Sequence, residues 1–295
     1  LNILKASTVG NVQILDKAGV MPGTVASNRK LIVVLAIFLG GMLGVTIAIL
    51  RFYLKTGIID PKTFIDLGLT VRATVPYSEN EVSVRPLEIP INKKRHKGDV
   101  TRKLNCGVLA HEYPDDPSIE SLRSLRTSLR FLMSGTADNL IMISSANPNE
   151  GKSFVTVNLA AVIAQSGKRV LVVDGDMRKS YLHKMFGVSA KNGLSDILSG
   201  ALDSKNSVRK TEIHNLYFMP RGETPINPSE LLMSPNFEKL AKKLSDTFDL
   251  VIFDTPPILA VTDASIIGSY CNLNMMVSRF DLSSSKEVLA AKNRF

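Results

Sequence analysis

Residues 144–153 read SSANPNEGKS. Four apolar residues precede them (Leu140, Ile141, Met142, Ile143), and a helix-like stretch follows (Val155, Val157, Leu159, Ala160, Ala161). A strand, a loop of small residues and a helix make an arrangement that grips phosphate. Backbone N–H groups turn inward on the anion, Lys152 brings a mobile positive charge, and the Ser153 hydroxyl suits Mg²⁺. A helix beginning near Ser153 also aims the positive end of its dipole at the same anion. Ala146 stands where the usual pattern has its first glycine. The expected nucleotide contacts are Ala146, Asn147, Asn149, Glu150, Gly151, Lys152, Ser153 and Phe154.

Two more apolar runs end in acidic residues. Residues 169–173 lead into Asp174-Gly175-Asp176-Met177-Arg178, and residues 250–253 lead into Asp254-Thr255-Pro256-Pro257. Ligands of an open parallel sheet bind beyond the carboxyl ends of its strands, so the three motifs are expected to meet in one crevice. Magnesium needs hard oxygen ligands in near-octahedral geometry. Ser153 is the expected direct ligand, Asp254 the holder of a metal-bound water, and Asp176 an assisting group. Asp174 is then free to accept a proton from an attacking hydroxyl.

From about residue 105 onward, strands alternate with helices: 140–145 then 153–166, 169–174 then 181–186, 215–219 then 229–245, 250–254 then 263–269, and 273–280 then 284–295. Continuous apolar strands of this kind belong to a buried parallel sheet with helices on both faces.

Residues 31–50 carry no charge. About 20 apolar residues cross a bilayer's hydrocarbon core, so this segment reads as a transmembrane helix. Gly40, Gly41 and Gly44 offer a small-residue spacing suited to helix packing. Flanking charges are balanced, but Lys93, Lys94, Arg95, Lys97, Arg102 and Lys103 crowd the C-terminal side. Positive segments stay inside, which places residues 51–295 in the cytoplasm and 1–29 outside. The chain carries 36 Lys and Arg against 27 Asp and Glu, for a formal net charge of +9. No recognition motif or interleaved aromatics accompany this charge, which argues against nucleic acid; the basic run at 93–103 reads as a solvated linker, with contact to anionic headgroups as its functional alternative. Cys106 and Cys271 lie in no metal-binding spacing and read as reduced thiols.

With these motifs in hand, residues 105–295 resemble the cytoplasmic domain of the bacterial tyrosine kinases (BY-kinases) of exopolysaccharide and capsule export. The segments 146–153, 170–176 and 251–254 are similar to that family's Walker A, A′ and B motifs. The resemblance implies an α/β fold: a P-loop NTPase-like, doubly wound parallel sheet of the deviant Walker type, preceded by one transmembrane helix. Residues 1–29 resemble the extracytoplasmic tail of a chain-length-regulator domain. Residues 30–51 are then the transmembrane helix, 52–104 a juxtamembrane segment and basic linker, and 105–295 a C-terminally incomplete kinase domain. Within the linker, residues 60–76 mix helix-like and strand-like spacing and are expected to form a small element of their own.

The resemblance implies an autophosphorylating protein-tyrosine kinase of the inner membrane that uses ATP and Mg²⁺. Asp174 would be its base, with Lys152 and Asp176 also catalytic, and Ser153, Asp176 and Asp254 would hold the metal. Glu120, Arg123 and Arg126 match the family's Glu-x-x-Arg-x-x-Arg motif for ring-like, octamer-like self-association. They lie on a helix expected over 118–133, beside a stripe of Leu122, Leu125, Leu129 and Leu132. Tyr181 matches a tyrosine that occludes the site until phosphorylated, and Arg221 the arginine that then receives the phosphate. Expected partners are other copies of the chain, protein tyrosine substrates, a polysaccharide export protein of the outer membrane, a cognate phosphatase and inner-membrane lipids. Members usually end in a tyrosine-rich tail, whereas Tyr270 is the last tyrosine here. The chain therefore reads as an internal piece of a longer protein. Two alternatives share these motifs: an ATPase switch of the partition or septum-site type, and a non-catalytic assembly factor.

Overall fold

The structure is a computed structural model that describes residues 28–54, 57, 58, 60–81, 107–133 and 139–295. The expected extracytoplasmic tail (save its last two residues), the basic run at 93–103 and Cys106 lie outside the described residues. The chain divides into two compact units, residues 1–54 and residues 55–295.

In the first unit, Arg29–Leu54 is one continuous α-helix. Residues 29–50 are long and apolar enough to cross a membrane, and every one of them is exposed. A helix that is apolar all round needs either a protein core or lipid around it, and none of the described residues buries it. The three helix glycines leave open space where a side chain would stand.

The second unit is built on a six-stranded sheet ordered β3-β4-β2-β5-β1-β6. Its strands are β1 (Leu140–Ser145), β2 (Val170–Asp174), β3 (Arg209–Lys210), β4 (Leu216–Met219), β5 (Leu250–Asp254) and β6 (Leu273–Val277). All neighbours pair in parallel except β3, which adds to the edge antiparallel to β4. Two residues of charged sequence carry no alternation, so β3 was not legible in advance. The one helix expected over 229–245 is two, Pro228–Leu232 and Pro235–Thr247. Pro235 has no N–H to continue the first and a fixed φ suited to starting the second.

Strand side chains alternate between faces, and the core divides accordingly. Ile141, Ile143, Val170, Val172 and Ile252 face one layer. Leu140, Met142, Leu171, Val173, Val251 and Phe253 face the other. On the first face, helix Lys152–Ala164 lies between the sheet and helix Pro117–Leu132. This double cover explains why nearly all of its residues are buried. Helix Pro117–Leu132 starts with a capping Asp116 and Pro117 in its first turn, and it buries Leu122, Leu125 and Leu129 along the expected stripe. Leu132 is 38% exposed at its end. On the second face, Phe237, Leu240, Ala241 and Leu244 form the buried stripe of helix Pro235–Thr247. Burying each of the three large side chains, Phe237, Leu240 and Leu244, contributes about 1.5–3 kcal/mol, so the stripe decides which face turns inward.

Residues 57, 58 and 60–81 form a strap on this unit. Gly57 bridges Ser284, Ile58 N–H donates to Ser283 O at 2.8 Å, and Asp281 N–H donates to Ile58 O at 3.1 Å. A short helix, Lys62–Asp66, follows, and Lys292 Nζ then donates to Leu67 O at 2.7 Å. At the far end, the Ser78 hydroxyl and the Asn80 amide both donate to Asp116 Oδ2, at 2.6 and 3.0 Å. The small juxtamembrane element expected over 60–76 is therefore a one-turn helix with an extended continuation.

Candidate active site

The loop at 146–151 leaves the carboxyl end of β1. Asn149 (φ 66°) and Gly151 (φ 96°) are both left-handed and flank Glu150. Glycine takes this conformation freely, and asparagine is among the few other residues that tolerate it. Glu150 is turned inward and buried. Its Oε2 accepts the Ala146 N–H at 2.9 Å, and its Oε1 accepts the Ser283 hydroxyl at 2.8 Å. Burial raises its pKa, and donors from Ser283, Asn147 and Ala146 offset only part of that. The Ala146 amide and the Glu150 side chain thus close the loop on itself. The first bond of helix Lys152–Ala164 runs from Val155 N–H to Gly151 O. That leaves the amides of Lys152, Ser153 and Phe154 without a helical acceptor at the positive end of the helix.

Asp174 and Asp254 are register partners at the ends of β2 and β5, and both are wholly buried. Asp254 Oδ2 accepts the Ser153 hydroxyl at 2.8 Å and lies 3.5 Å from Lys152 Nζ, while its Oδ1 accepts the Thr156 hydroxyl at 3.0 Å. Burial raises the Asp254 pKa against the opposing pull of Lys152, Ser153 and Thr156. Asp176 Oδ1 accepts the N–H groups of Arg178 and Lys179 at 3.1 and 3.0 Å. Among the described residues, neither Asp174 oxygen has a hydrogen-bond partner. The Ser180 hydroxyl is near enough to favour its ionised form without making a well-formed bond. Burial still holds the Asp174 pKa well above the usual carboxylate value, with Asp254 and Asp176 adding repulsion. Burial alone would lower the Lys152 pKa. Asp254 first, then Asp176, Tyr181 and Asp174, reverse that and raise it.

A cation beside three carboxylates, one of them buried without a well-formed hydrogen bond among the described residues, and three amides without a helical acceptor form a site whose polar groups are not satisfied from within. The donors fit a nucleotide with a hard divalent metal: one hydroxyl and carboxylate oxygens, with no soft ligand. Among the described residues no three His, Cys, Asp or Glu side chains form a metal cage. A magnesium ion here would therefore share phosphate and water oxygens. The loop, the end of β6 and the strap line one cavity of about 1770 Å³.

Residues 1–53 match the family described as "G-rich domain on putative tyrosine kinase", and residues 139–270 match the "AAA domain" family. The tyrosine-protein kinase ptk of Acinetobacter johnsonii is 43% identical over all of this chain and 39% of its own length. The tyrosine-protein kinase wzc of Salmonella typhimurium is 42% identical over all of this chain and 40% of its own. The solved kinase domain of Escherichia coli tyrosine kinase ETK is 38% identical with a TM-score of 0.71, covering 81% of this chain and 89% of that one. The chain belongs to the bacterial tyrosine kinases. It spans about two fifths of the length of the curated relatives it matches.

In this BY-kinase chain, the residues expected at the nucleotide site do gather at the carboxyl ends of β1, β2 and β5. Tyr181 is 54% exposed and lines the cavity that holds Lys152. Arg221 donates to Arg178 O at 3.4 Å, and Arg178 itself lines that cavity. Glu120 and Arg123 pair within their helix at 2.8 Å, and Arg126 donates to Val162 O at 3.2 Å. Cys271 is a free thiol whose burial pushes its pKa up to about 12.

Sequence reasoning missed several residues in or packed against this candidate site. Thr156 is one helical turn after Lys152, and that spacing was the available signal. Asp263 is buried and takes Arg178 in two bonds, at 2.8 and 3.1 Å, with the Ser229 hydroxyl at 2.6 Å. Arg279 donates to Asn149 O at 3.3 Å. No local pattern marks Asp263, Ser229, Arg279 or Ser283, because each acts across a long sequence separation.

Proposed function

We propose that the chain is the membrane-anchored, ATP-dependent kinase portion of a protein that phosphorylates tyrosine, itself included, and so regulates exopolysaccharide or capsule polymerisation and export. The observation that carries this reading is Asp174: a buried carboxylate with no well-formed hydrogen bond among the described residues, in register with Asp254 and within the field of Lys152. When bound, magnesium-ATP supplies an activated phosphoryl group whose charge the metal offsets. Ser153, Asp176 and Asp254 are the residues to hold that metal. The amides of residues 151–154 and the Lys152 ammonium bind and neutralise the phosphates. Asp174 accepts the proton of a substrate tyrosine hydroxyl, and its raised pKa suits a base working near neutral pH.

Tyr181 closes the site, and its phosphorylated form is drawn away by Arg221. Helix Arg29–Leu54 anchors the chain in the inner membrane, with the kinase portion in the cytoplasm. Glu120, Arg123 and Arg126 face neighbouring copies in a ring. An outer-membrane export protein and a cognate phosphatase complete the partners.

The test is phosphotyrosine mass spectrometry on the full-length protein incubated with Mg-ATP, with Lys152→Met as control. Phosphotyrosine that disappears in the control is expected. Unchanged labelling in Lys152→Met would sink the assignment, and ATP hydrolysis without phosphotyrosine would favour the ATPase switch.

A further inference from the structure

A carboxylate inside a phosphate-binding loop is at first sight a liability, because it repels the anion the loop must hold. Glu150 nevertheless sits there, 3% exposed. The structure gives it a different job. The left-handed residues on either side turn it away from the opening, so that its two oxygens take two different donors. One is the loop's own Ala146 amide and the other is the Ser283 hydroxyl, 133 residues on.

Ser283 is itself held from several sides. Its hydroxyl accepts the Arg279 N–H at 2.8 Å, its own N–H donates to Arg279 O at 3.0 Å, and its carbonyl accepts the Ile58 N–H. The same segment touches the loop a second time through Arg279 on Asn149 O. The turn after β6 is therefore a template against which the phosphate loop is set.

We propose that Glu150 and Ser283 are positioning residues that hold the phosphate loop in its binding shape before nucleotide arrives. The proposal rests on the nucleotide-binding reading above but not on phosphotransfer to tyrosine. The chemistry is specific to a carboxylate. The Ala146 and Asn147 amides and the Ser283 hydroxyl all donate to Glu150; a glutamine whose carbonyl keeps the amides turns its NH₂ onto Ser283 and leaves the Ser283 hydroxyl proton without its acceptor. An unset loop must order itself when the ligand binds, which weakens binding without touching the ligand's own contacts.

The experiment is titration of Mg-ADP into the full chain in detergent or lipid nanodiscs, beside Glu150→Gln, Ser283→Ala and the double variant. Thermal unfolding is measured on the same samples. Each single variant is expected to weaken Mg-ADP by about tenfold to a hundredfold, the scale of a hydrogen bond to a charged group. The double variant is expected to be little weaker than Glu150→Gln alone, since the two share one contact. Ser283→Ala reads that contact while leaving the loop's own sequence intact. Binding within about twofold of wild type in both single variants, with only the melting temperature lowered, overturns the proposal. So do additive losses in the double variant, or collapse of both singles seen in far-UV circular dichroism. Wild-type chain that does not bind Mg-ADP overturns this proposal and the nucleotide reading together. Wild-type chain that binds Mg-ADP but makes no phosphotyrosine sinks the kinase reading alone.

Discussion

The Thr156 hydroxyl donates to Asp254 Oδ1 at 3.0 Å while Ser153 takes Oδ2 at 2.8 Å. Two hydroxyls from the first turn of one helix thus clamp the carboxylate that ends β5. Thr156 is wholly buried, so an isosteric Thr156→Val keeps the shape and strips one donor from a buried charge. The expected loss is about 1–3 kcal/mol in chemical denaturation, with Thr156→Ser retaining most of the stability. A valine variant as stable as wild type would show that the clamp contributes nothing.

Asp174 predicts a trade between stability and activity. Its folded pKa is raised, so the fold disfavours the ionised form and loses stability as pH rises above the unfolded value. Asp174→Asn removes that charge without changing the volume. The variant should melt at or above the wild-type temperature at neutral pH, and the difference should shrink towards pH of about 4. Its phosphotransfer rate should fall about 10²- to 10⁴-fold. Retained phosphotransfer would remove Asp174 from the role of base, and a lower melting temperature would contradict the burial argument.

Asp116 joins the strap to the start of helix Pro117–Leu132. Burial alone would raise its pKa, but hydrogen bonds from Ser78, Ser118 and Asn80 bring it down to about 2. A depressed acid stabilises the fold above its unfolded pKa, and that contribution fades as pH falls through the folded value. Hydrogen exchange in residues 60–81 should therefore speed up as pH drops from about 4 towards 2, after correction for intrinsic rates. In Asp116→Asn that added dependence should vanish. An identical pH profile in the two proteins would refute the link.

Gly193 lets two backbones meet. A Cβ there would collide with Pro220 O and with the Gly222 backbone, where Leu194 N–H and Ser195 N–H donate to Pro220 O and Arg221 O. Gly193→Ala should cost about 1–3 kcal/mol and expose the segment around Arg221 to protease. Unchanged cleavage and unchanged denaturation would mean that the loop shifts freely.

The parts of the fold that were legible in the sequence are those carried by local repetition. The continuous apolar strands at 170–173 and 250–253, the leucine stripe at 122, 125 and 129, and the uncharged run at 31–50 each fix a local geometry. The loop at 146–153 was legible for a related reason, since its spacing is itself the chemistry. Strand β3 and the break before Pro235 were not, because one is too short to show a period and the other leaves the apolar spacing intact across it.

By itself the sequence determined that helices would cover both faces of a buried sheet, that Asp174 and Asp254 would end strands with Asp176 just beyond, and that Lys152 would open the helix after the phosphate loop. Periodicity and backbone sterics act over a few residues and can be read along the chain. Only the tertiary structure decided the rest: the register that sets Asp174 beside Asp254, the lack of a well-formed hydrogen bond to Asp174 among the described residues, and the inward turn of Glu150 onto Ser283. Those depend on burial and on hydrogen bonds between residues far apart in sequence, whose energies exist only once the sheet has closed around them.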